Sequence, residues 1–478
     1  MTYFNKHTLL SIGFLILVTI VAVASSLYLT QGNLTYAIHA PYIHWAMVKH
    51  LVTERILSVD GFSYSSVSSS PLWLFLLSFF YAFLSSTAFV WISLILNVAF
   101  QIITLITIFK LVKQYTKEDL HFVYGIIIIL VTPFIALSMG GLEHSLQIML
   151  IVLFLYNFIG YMENQTDKTY RNYMLLLAPF IVAIRYEDLA FISAISLAIT
   201  LFFRDIRYAI MLFLSSLTLI LIFGVWSDAS FNLGYLPTSI SAKSGVSHTL
   251  IEKFTENIFY SHIIAILLLN IAILFSIFKK DRTLSILTFV YLLTFIVHLA
   301  FAKVGWLYRY EAYLILFGAI NIILYIYKHK PNQKLILVLT ALFLLSNYKQ
   351  IIFSPIKSVL SSRAVYEQQI QEGRLLKEFK DYYIATDNIG TVPFLADDKI
   401  LDIHGLSNPK IIELKSKNIF NDKTKKAMIT DENVDMIVAY KARFKDEHIE
   451  NYIKLATWKI KDQALNGDDE VVFYARKD

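Results

Sequence analysis

The chain has 478 residues, of which 56% are hydrophobic and 16% are charged. Soluble globular proteins carry about 25% charged residues, so this composition, with a mean hydropathy of +0.58, indicates a protein that crosses a membrane several times. The net charge of +6 is spread over short loops and forms no basic stripe, which excludes a nucleic-acid-binding surface. The absence of cysteine excludes disulfides, thiol catalysis and cysteine-ligated metals.

Apolar segments that reach or approach the ~20 residues needed to cross a bilayer occupy most of the chain up to residue 347. They lie at 8–30, 71–87, 88–109, 122–138, 145–161, 172–184, 189–203, 208–226, 259–278, 283–302, 311–327 and 334–347. The first follows Lys6 and is long for a cleaved signal peptide, so we expect it to remain as a membrane anchor.

The loops between these segments alternate in character. One set is basic, and the positive-inside rule places it on the cytoplasmic side. The other set, at 31–70, 138–144, 185–188, 227–258 and 303–310, is richer in Gly, Pro, Ser and isolated charges. The alternation holds only if segment 71–87, which is short and begins with Pro71, is a re-entrant or juxtamembrane helix. About eleven crossings remain, with the N-terminus cytoplasmic and the C-terminus outside.

After about residue 348 the chain becomes charged and loses its long apolar runs. Residues 357–379 have the pattern of an amphipathic helix. Strand-like runs follow at Tyr382–Thr386, Lys399–Ile403, Asp435–Tyr440 and Glu470–Ala475. We therefore predict a polytopic α-helical membrane domain over 1–347, whose first outer loop and juxtamembrane helices occupy 31–87, and a small extracytoplasmic α/β domain over 348–478.

Ionisable residues at membrane depth are costly and usually line a pathway or a site. His39, at the start of a helix pattern over 40–57, is a candidate general base or metal ligand; the alternative is an interfacial histidine. Glu143 follows the Gly140-Gly141 pair at the start of a helix, where a carboxylate also favours the helix dipole.

Three cations complete this set. Arg185, in the run Arg185–Asp188, could bind a phosphate while a carboxylate holds it in place, or it could form a self-satisfied ion pair. Lys243 is the lone cation of the hydroxyl-rich loop 236–245, suited to an anionic headgroup or to snorkelling. Arg309, where the next crossing begins, is a candidate phosphate ligand. Together these residues indicate a lipid-linked phosphate or pyrophosphate substrate.

Several short motifs follow one another in a particular order along the chain. They are Tyr42-Ile43, Ser69–Trp73, Gly140–His144, Ile184–Glu187, Leu236–Lys243, Arg309-Tyr310 and, in the tail, Asp387–Gly390 and Leu401–Leu406. This order resembles the GT-C superfamily of integral-membrane glycosyltransferases. It is most similar to the bacterial branch that contains the mycobacterial terminal arabinofuranosyltransferase.

The resemblance implies a polyprenyl-phosphate sugar donor and a cell-envelope glycan, lipid or protein acceptor, met on the outer face of the bacterial cytoplasmic membrane. The implied donor-phosphate ligands are Arg185, Lys243 and Arg309, and the implied acceptor- or sugar-binding residues are Tyr42, His44, His144 and Tyr310. The family's paired aspartates, one of them the base, align with His39 and Ala40. Either His39 has taken over as the base, or Glu143 or Glu187 serves, or transfer has been lost. No cofactor is identified; a divalent cation is left open, because a hard cation prefers carboxylate oxygens.

Two other classes of membrane protein remain as alternatives. An O-antigen ligase or polymerase acting on lipid-pyrophosphate glycans usually places its site in one large loop between late helices, whereas here the polar residues are spread along the chain. A lipid-linked sugar transporter would show internal symmetry and charge pairs in the middle of its spans, and the sequence shows neither.

Overall fold

The computed structural model describes residues 5–232, 235, 250–258, 260–396, 399–417, 419–444, 449–461 and 468–477. The helices of the membrane part are α1 Lys6–Leu29, α2 Ala40–Thr53, α3 Pro71–Tyr81, α4 Ser86–Thr116, α5 Phe122–Val131, α6 Phe134–Gly140, α7 His144–Glu163, α8 Lys168–Ile184, α9 Leu189–Ala198, α10 Ile206–Phe231, α11 Leu250–Ile258, α12 Ser261–Ile277, α13 Arg282–Phe301, α14 Ala312–His329, α15 Gln333–Ser346, α16 Tyr348–Val365 and α17 Gln371–Leu376.

Within the described residues, eight helices are long and apolar enough to cross a bilayer, or ten if each of two bent helix pairs is one span. This confirms a polytopic α-helical membrane protein. Ten spans are one fewer than the eleven crossings expected, and the segment not counted is α8. This helix has 17 residues and an internal proline, and it is one residue shorter than the shortest of the eight. Helix α3 has 11 residues, about 16 Å of helix, which is too short to cross ~30 Å of hydrocarbon.

The two ends of the bundle differ in chemistry. At one end, the basic side, loops distant in sequence pair their charges: Lys330 lies 2.6 Å from Glu118, and His329 lies 3.2 Å from Asp281. At the opposite end, the domain side, the first polar loop meets the C-terminal part of the chain. The segregation of loops follows the alternation seen in the sequence, and the assignment of the basic side to the cytoplasm stays a prediction.

A five-stranded sheet forms the C-terminal part, in the order β2-β1-β3-β5-β4. Its elements are β1 Tyr383–Thr386, α18 Thr391–Leu395, β2 Lys399–Asp402, α19 Pro409–Ser416, α20 Asp422–Asp431, β3 Met436–Tyr440, β4 Tyr452–Lys459 and β5 Glu470–Arg476. Strands β1, β2 and β3 are parallel, and β5 pairs antiparallel with β3 and β4. Separate apolar clusters cover the two faces of the sheet, as expected for parallel strands.

The α/β domain is joined to the membrane part by close backbone contacts. Lys49 of α2 donates to the carbonyl of Pro393 at 3.2 Å. A Cβ atom on Gly390 would lie only 3.0 Å from the carbonyl oxygen of His39, so the glycine lets the loop after β1 approach the start of α2. The chain that leads into the sheet domain also contacts the first polar loop, because Ser361 of α16 donates to the carbonyl of Ala37 at 2.7 Å. The sheet domain is therefore seated on the first polar loop.

Candidate active site

The turn that carries Glu143 is shaped by one glycine and one tyrosine. Gly141 has a φ of +63°, and a Cβ atom there would lie 2.3 Å from the Tyr36 ring, so only glycine fits. The hydroxyl of Tyr36 donates to the carbonyl of Val90 at 2.8 Å, and the N–H of Ala37 donates to the carbonyl of Met139 at 2.8 Å. The first loop and the turn before α7 are thereby fixed against each other.

Arg185, Glu143 and Glu187 form a buried ion cluster beside this turn. Arg185 donates from Nη1 to Glu143 Oε1 at 2.8 Å and from Nε to Glu187 Oε1 at 2.8 Å, and its Nη2 also contacts Glu187. Arg185 and Glu143 are 8% and 2% exposed. A buried cation between two carboxylates is largely satisfied, which favours the ion-pair interpretation of Arg185. Its role as a phosphate ligand stays a prediction.

Tyr310 connects this cluster to Arg309. The guanidinium carbon of Arg185 lies 5.4 Å from the centre of the Tyr310 ring, and that of Arg309 lies 4.7 Å from it. The His144 ring meets the same ring edge-on at 5.8 Å. Residues from three loops, 138–144, 185–188 and 303–310, are therefore in one place on the domain side.

Arg309 differs from Arg185 in having donors to spare. Its Nη2 donates to the Tyr310 hydroxyl at 2.8 Å. Its Nε and Nη1 are buried and have no hydrogen-bond partner in the described part of the chain. The Oε2 atom of Glu143 and both ring nitrogens of His144 are likewise buried and without a hydrogen-bond partner among the described residues. Buried polar atoms without partners are rare and call for an explanation; substrate groups would provide one.

The backbone that holds Arg309 is bent sharply. Gly305, Trp306, Leu307 and Tyr308 all have positive φ values, a conformation that costs non-glycine residues energy. Glu311, which is fully buried, accepts from the Gly305 N–H at 2.9 Å and lies 3.1 Å from His262 Nε2. Glu311 and His262 thus stabilise this loop, and neither had been singled out from the sequence.

His39 lies at the N-terminus of α2, half-buried. Its imidazole has no hydrogen-bond partner among the described residues, and its electrostatic neighbours are His404, Arg309 and Arg443. Burial and these neighbouring charges lower the pKa of His39 to about 3. The sequence suggests a base that titrates near neutral pH, whereas in the free protein this imidazole is neutral and only weakly basic.

His44 and Tyr42, the two implied acceptor- or sugar-binding residues of the first loop, differ in position. His44 Nδ1 lies 3.3 Å from the hydroxyl of Ser68 and within electrostatic range of Glu143, so His44 faces the site. Tyr42 is 2% exposed; its hydroxyl accepts from the Tyr36 N–H at 3.1 Å and its ring packs on Trp45. These are the contacts of a packing residue, and acceptor binding by Tyr42 stays a prediction.

Of the five polar groups expected to converge, the structure brings four together, and Lys243 lies outside the described residues. Sequence reasoning did not single out His298, which lies 3.0 Å from the Tyr313 hydroxyl and within electrostatic range of Glu187. The available signal was a histidine within the apolar run 283–302. In the described ranges, no three His, Asp or Glu side chains are grouped to hold a metal ion.

A family profile described as "Domain of unknown function (DUF8728)" matches residues 360–474, the sheet domain with the helix before it. No curated protein matches the chain significantly. Among solved structures, the chain is similar to the oligosaccharyltransferase of Archaeoglobus fulgidus, crystallised in complex with Zn and sulfate. That match has a TM-score of 0.47 and 11% identity, and covers 88% of this chain and 68% of that chain.

Proposed function

We propose that this protein is a membrane glycosyltransferase that moves a sugar from a polyprenyl-phosphate donor to a cell-envelope acceptor on the outer face of the membrane. One observation carries the proposal. Among the described residues, two guanidinium nitrogens of Arg309 have no hydrogen-bond partner, and the same holds for both ring nitrogens of the neighbouring His144 and for Oε2 of Glu143. Cationic donors and acceptors from separate loops, gathered at one end of a helical bundle, suit a phosphate-linked sugar at headgroup level.

Arg309 is the donor-phosphate ligand in this proposal. Its Nε and Nη1, which have no hydrogen-bond partner in the described residues, point to different edges of the guanidinium, and each can donate to a phosphate oxygen. Arg185 lies against the same Tyr310 ring, where its charge is balanced by Glu143 and Glu187, so its direct contact with the phosphate stays a prediction. Lys243 would complete the phosphate site from its loop.

The lipid tail has a suitable groove. A cavity of about 560 Å³ opens between α1, α5, α6 and α16 and is lined mainly by apolar side chains. Ala22, Ile135 and Ala136 of this lining belong to the same packed cluster as Leu142 and Leu307, which are neighbours in sequence of Glu143 and of the Arg309 loop. An isoprenoid chain in the groove would therefore place its phosphate near Arg309.

His39 is the proposed base. Glu143 and Glu187 both accept charge-assisted bonds from Arg185, which stabilise the ionised carboxylates and weaken them as bases. Among the described residues His39 has no such partner, and a bound phosphate would offset the positive charge of Arg309 and raise the pKa of His39. The imidazole takes the proton of the acceptor hydroxyl, the acceptor oxygen bonds to the anomeric carbon, and the polyprenyl phosphate leaves with the electron pair of the broken C–O bond.

The test uses full-length protein in lipid nanodiscs, radiolabelled polyprenyl-phosphate pentoses and hexoses, and extracted envelope glycans. A labelled covalent product that requires the protein, and that is lost in His39→Ala and Arg309→Gln variants, supports the proposal. Lys303→Gln, in an exposed position of the Arg309 loop, is the matched control.

Two results would replace the proposal. Product formed only from pyrophosphate-linked oligosaccharides would indicate a ligase or polymerase. Flux of the lipid-linked sugar across vesicles, with no covalent product, would indicate a transporter.

A further inference from the structure

A polar cavity lies in the sheet domain, and none of the residues of the Arg309 cluster line it. It has a volume of about 380 Å³, within the range of about 300–1,000 Å³ usual for small-molecule sites. The loops that line it follow β1, β2 and β3. These strands are parallel, with Thr386 paired to both Asp402 and Val438. Strand β1 lies between β2 and β3, so the cavity is at the carboxyl edge of the sheet where the strand order reverses, the usual ligand position of such sheets.

The charges that line this cavity are mainly positive. Its cations are Lys415, Lys425 and Arg443, and its carboxylates are Asp387 and Asp422. The two carboxylates balance only two of the three positive charges. Arg443 lies 3.7 Å from Asp387, and Lys425 lies 3.7 Å from Asp422. Lys415 therefore has no carboxylate partner among the described lining residues.

The cations are held by the backbone in preformed positions. Lys415 donates to the carbonyl of His404 at 2.6 Å, and Lys425, which is 9% exposed, donates to the carbonyl of Arg443 at 2.7 Å. Arg443 lies 3.1 Å from His404 Nδ1. Each ammonium thus keeps donor hydrogens for a ligand while its position is set by the fold.

The loop after β2 is also rigid. Asp402 accepts from the N–H groups of Gly405, Leu406 and Ser407 at 2.7–2.8 Å. Gly405 has a φ of +73°, and a Cβ atom there would lie 2.0 Å from Ile411. Asp402 is therefore a structural residue whose role is to present His404 to the cavity.

The cavity adjoins the membrane part. His404 and Arg443 are both electrostatic neighbours of His39, and the Gly390 backbone, three residues after Asp387, is in close contact with the start of α2. A ligand bound by Arg443 would consequently lie next to the proposed base.

From this geometry we propose that the cavity binds a phosphate group on a glycan or lipid molecule and holds that molecule beside His39. The binding site stands on the cavity alone, and only its use by the sugar acceptor rests on the proposed function. The two sources, a phosphorylated glycan and a phospholipid headgroup, share the chemistry that three cations recognise.

The experiment measures binding directly, with no requirement for transfer. Equilibrium dialysis of labelled inorganic phosphate is carried out on full-length protein in nanodiscs, in an Arg309→Gln background that removes the other proposed phosphate ligand. Arg443→Gln and Lys415→Gln are each expected to weaken binding by about tenfold or more, the usual effect of losing a charge-assisted hydrogen bond. Lys423→Gln, on the exposed face of α20, should leave binding unchanged.

The outcomes separate the alternatives. Equal phosphate binding by the Arg309→Gln parent and by its Arg443→Gln and Lys415→Gln variants would overturn the proposal. The absence of binding at about 10 mM phosphate, a concentration at which even millimolar sites fill, would also overturn it. Tighter binding of glucose 1-phosphate than of glycerol 3-phosphate assigns the site to a glycan, and the reverse assigns it to a lipid headgroup. Intact binding, together with no sugar transfer by the protein that retains Arg309, would refute the proposed function and leave this site standing.

Asp387 provides a second test. Burial raises the pKa of Asp387 to about 7, against the opposing effect of Arg443 and Lys425, and Glu372 lies behind it. Burial lowers the pKa of His404 to about 4, so that ring stays neutral above pH 5. Sulfate, which keeps its charge of −2, should bind more tightly as the pH falls from 8 to 6 and Asp387 is neutralised. Asp387→Asn should remove the part of this dependence that Asp387 contributes, and Glu372, whose pKa burial raises to about 8, accounts for the rest; a pH profile unaltered by the substitution would contradict sulfate binding beside Asp387.

Discussion

Replacing Arg309 by Gln is the sharpest perturbation that the structure offers. The guanidinium makes one hydrogen bond within the protein, to the Tyr310 hydroxyl, and its Nε and Nη1 have no partner in the described residues. The substitution should therefore affect substrate much more than folding. We expect at most about 1 kcal/mol of lost stability, the usual contribution of a single hydrogen bond.

The effect on transfer is larger, because two donors are lost at once. Each hydrogen bond to a charged group contributes about 1.5–3 kcal/mol, so two bonds to the donor phosphate amount to roughly 3–6 kcal/mol. A factor of ten corresponds to about 1.4 kcal/mol, and kcat/KM for the lipid-linked donor should fall by roughly 10²–10⁴-fold. Arg309→Lys, which keeps the charge and loses the planar fork, should be intermediate.

The assay is initial-rate transfer over a range of donor concentrations, with the Tm of each variant measured in parallel. A value of kcat/KM for Arg309→Gln within about threefold of the parent, which is below 1 kcal/mol, would refute phosphate binding by Arg309. A large fall accompanied by an equal fall for Lys303→Gln would point to a general disturbance of the loop.

Two further predictions concern the residues behind the site. Arg185→Met leaves the buried Glu143 without its cation and should lower the free energy of unfolding by about 3–5 kcal/mol. Adding Glu143→Gln should restore part of this free energy. If denaturation shows that the effects of the two substitutions simply add, Arg185 and Glu143 are not coupled. Glu311→Gln weakens the bond to the Gly305 N–H and should raise KM for the donor while kcat changes less; an unchanged KM would show that the loop holds Arg309 without Glu311.

Hydropathy and composition were sufficient for the outline of the molecule. Long apolar runs must form helices in lipid because the backbone has no other hydrogen-bond partners there, and the short β-branched runs of the tail formed β1, β2, β3 and β5 at nearly the predicted bounds. Strand β4 was missed because it is an edge strand with most of its side chains exposed, so it has no apolar pattern to detect.

The chemistry of individual side chains depended on the tertiary structure. Arg185 was equally compatible with phosphate and with an ion pair until packing placed Glu143, 42 residues away, against it. Tyr42 matched a motif, yet helix packing buries it. His39 acquires neighbours in Arg309, His404 and Arg443, which no local window of sequence includes. Local patterns determine which segments are helices or strands, whereas the partners of a charge are set by the packing of segments that are distant in the chain.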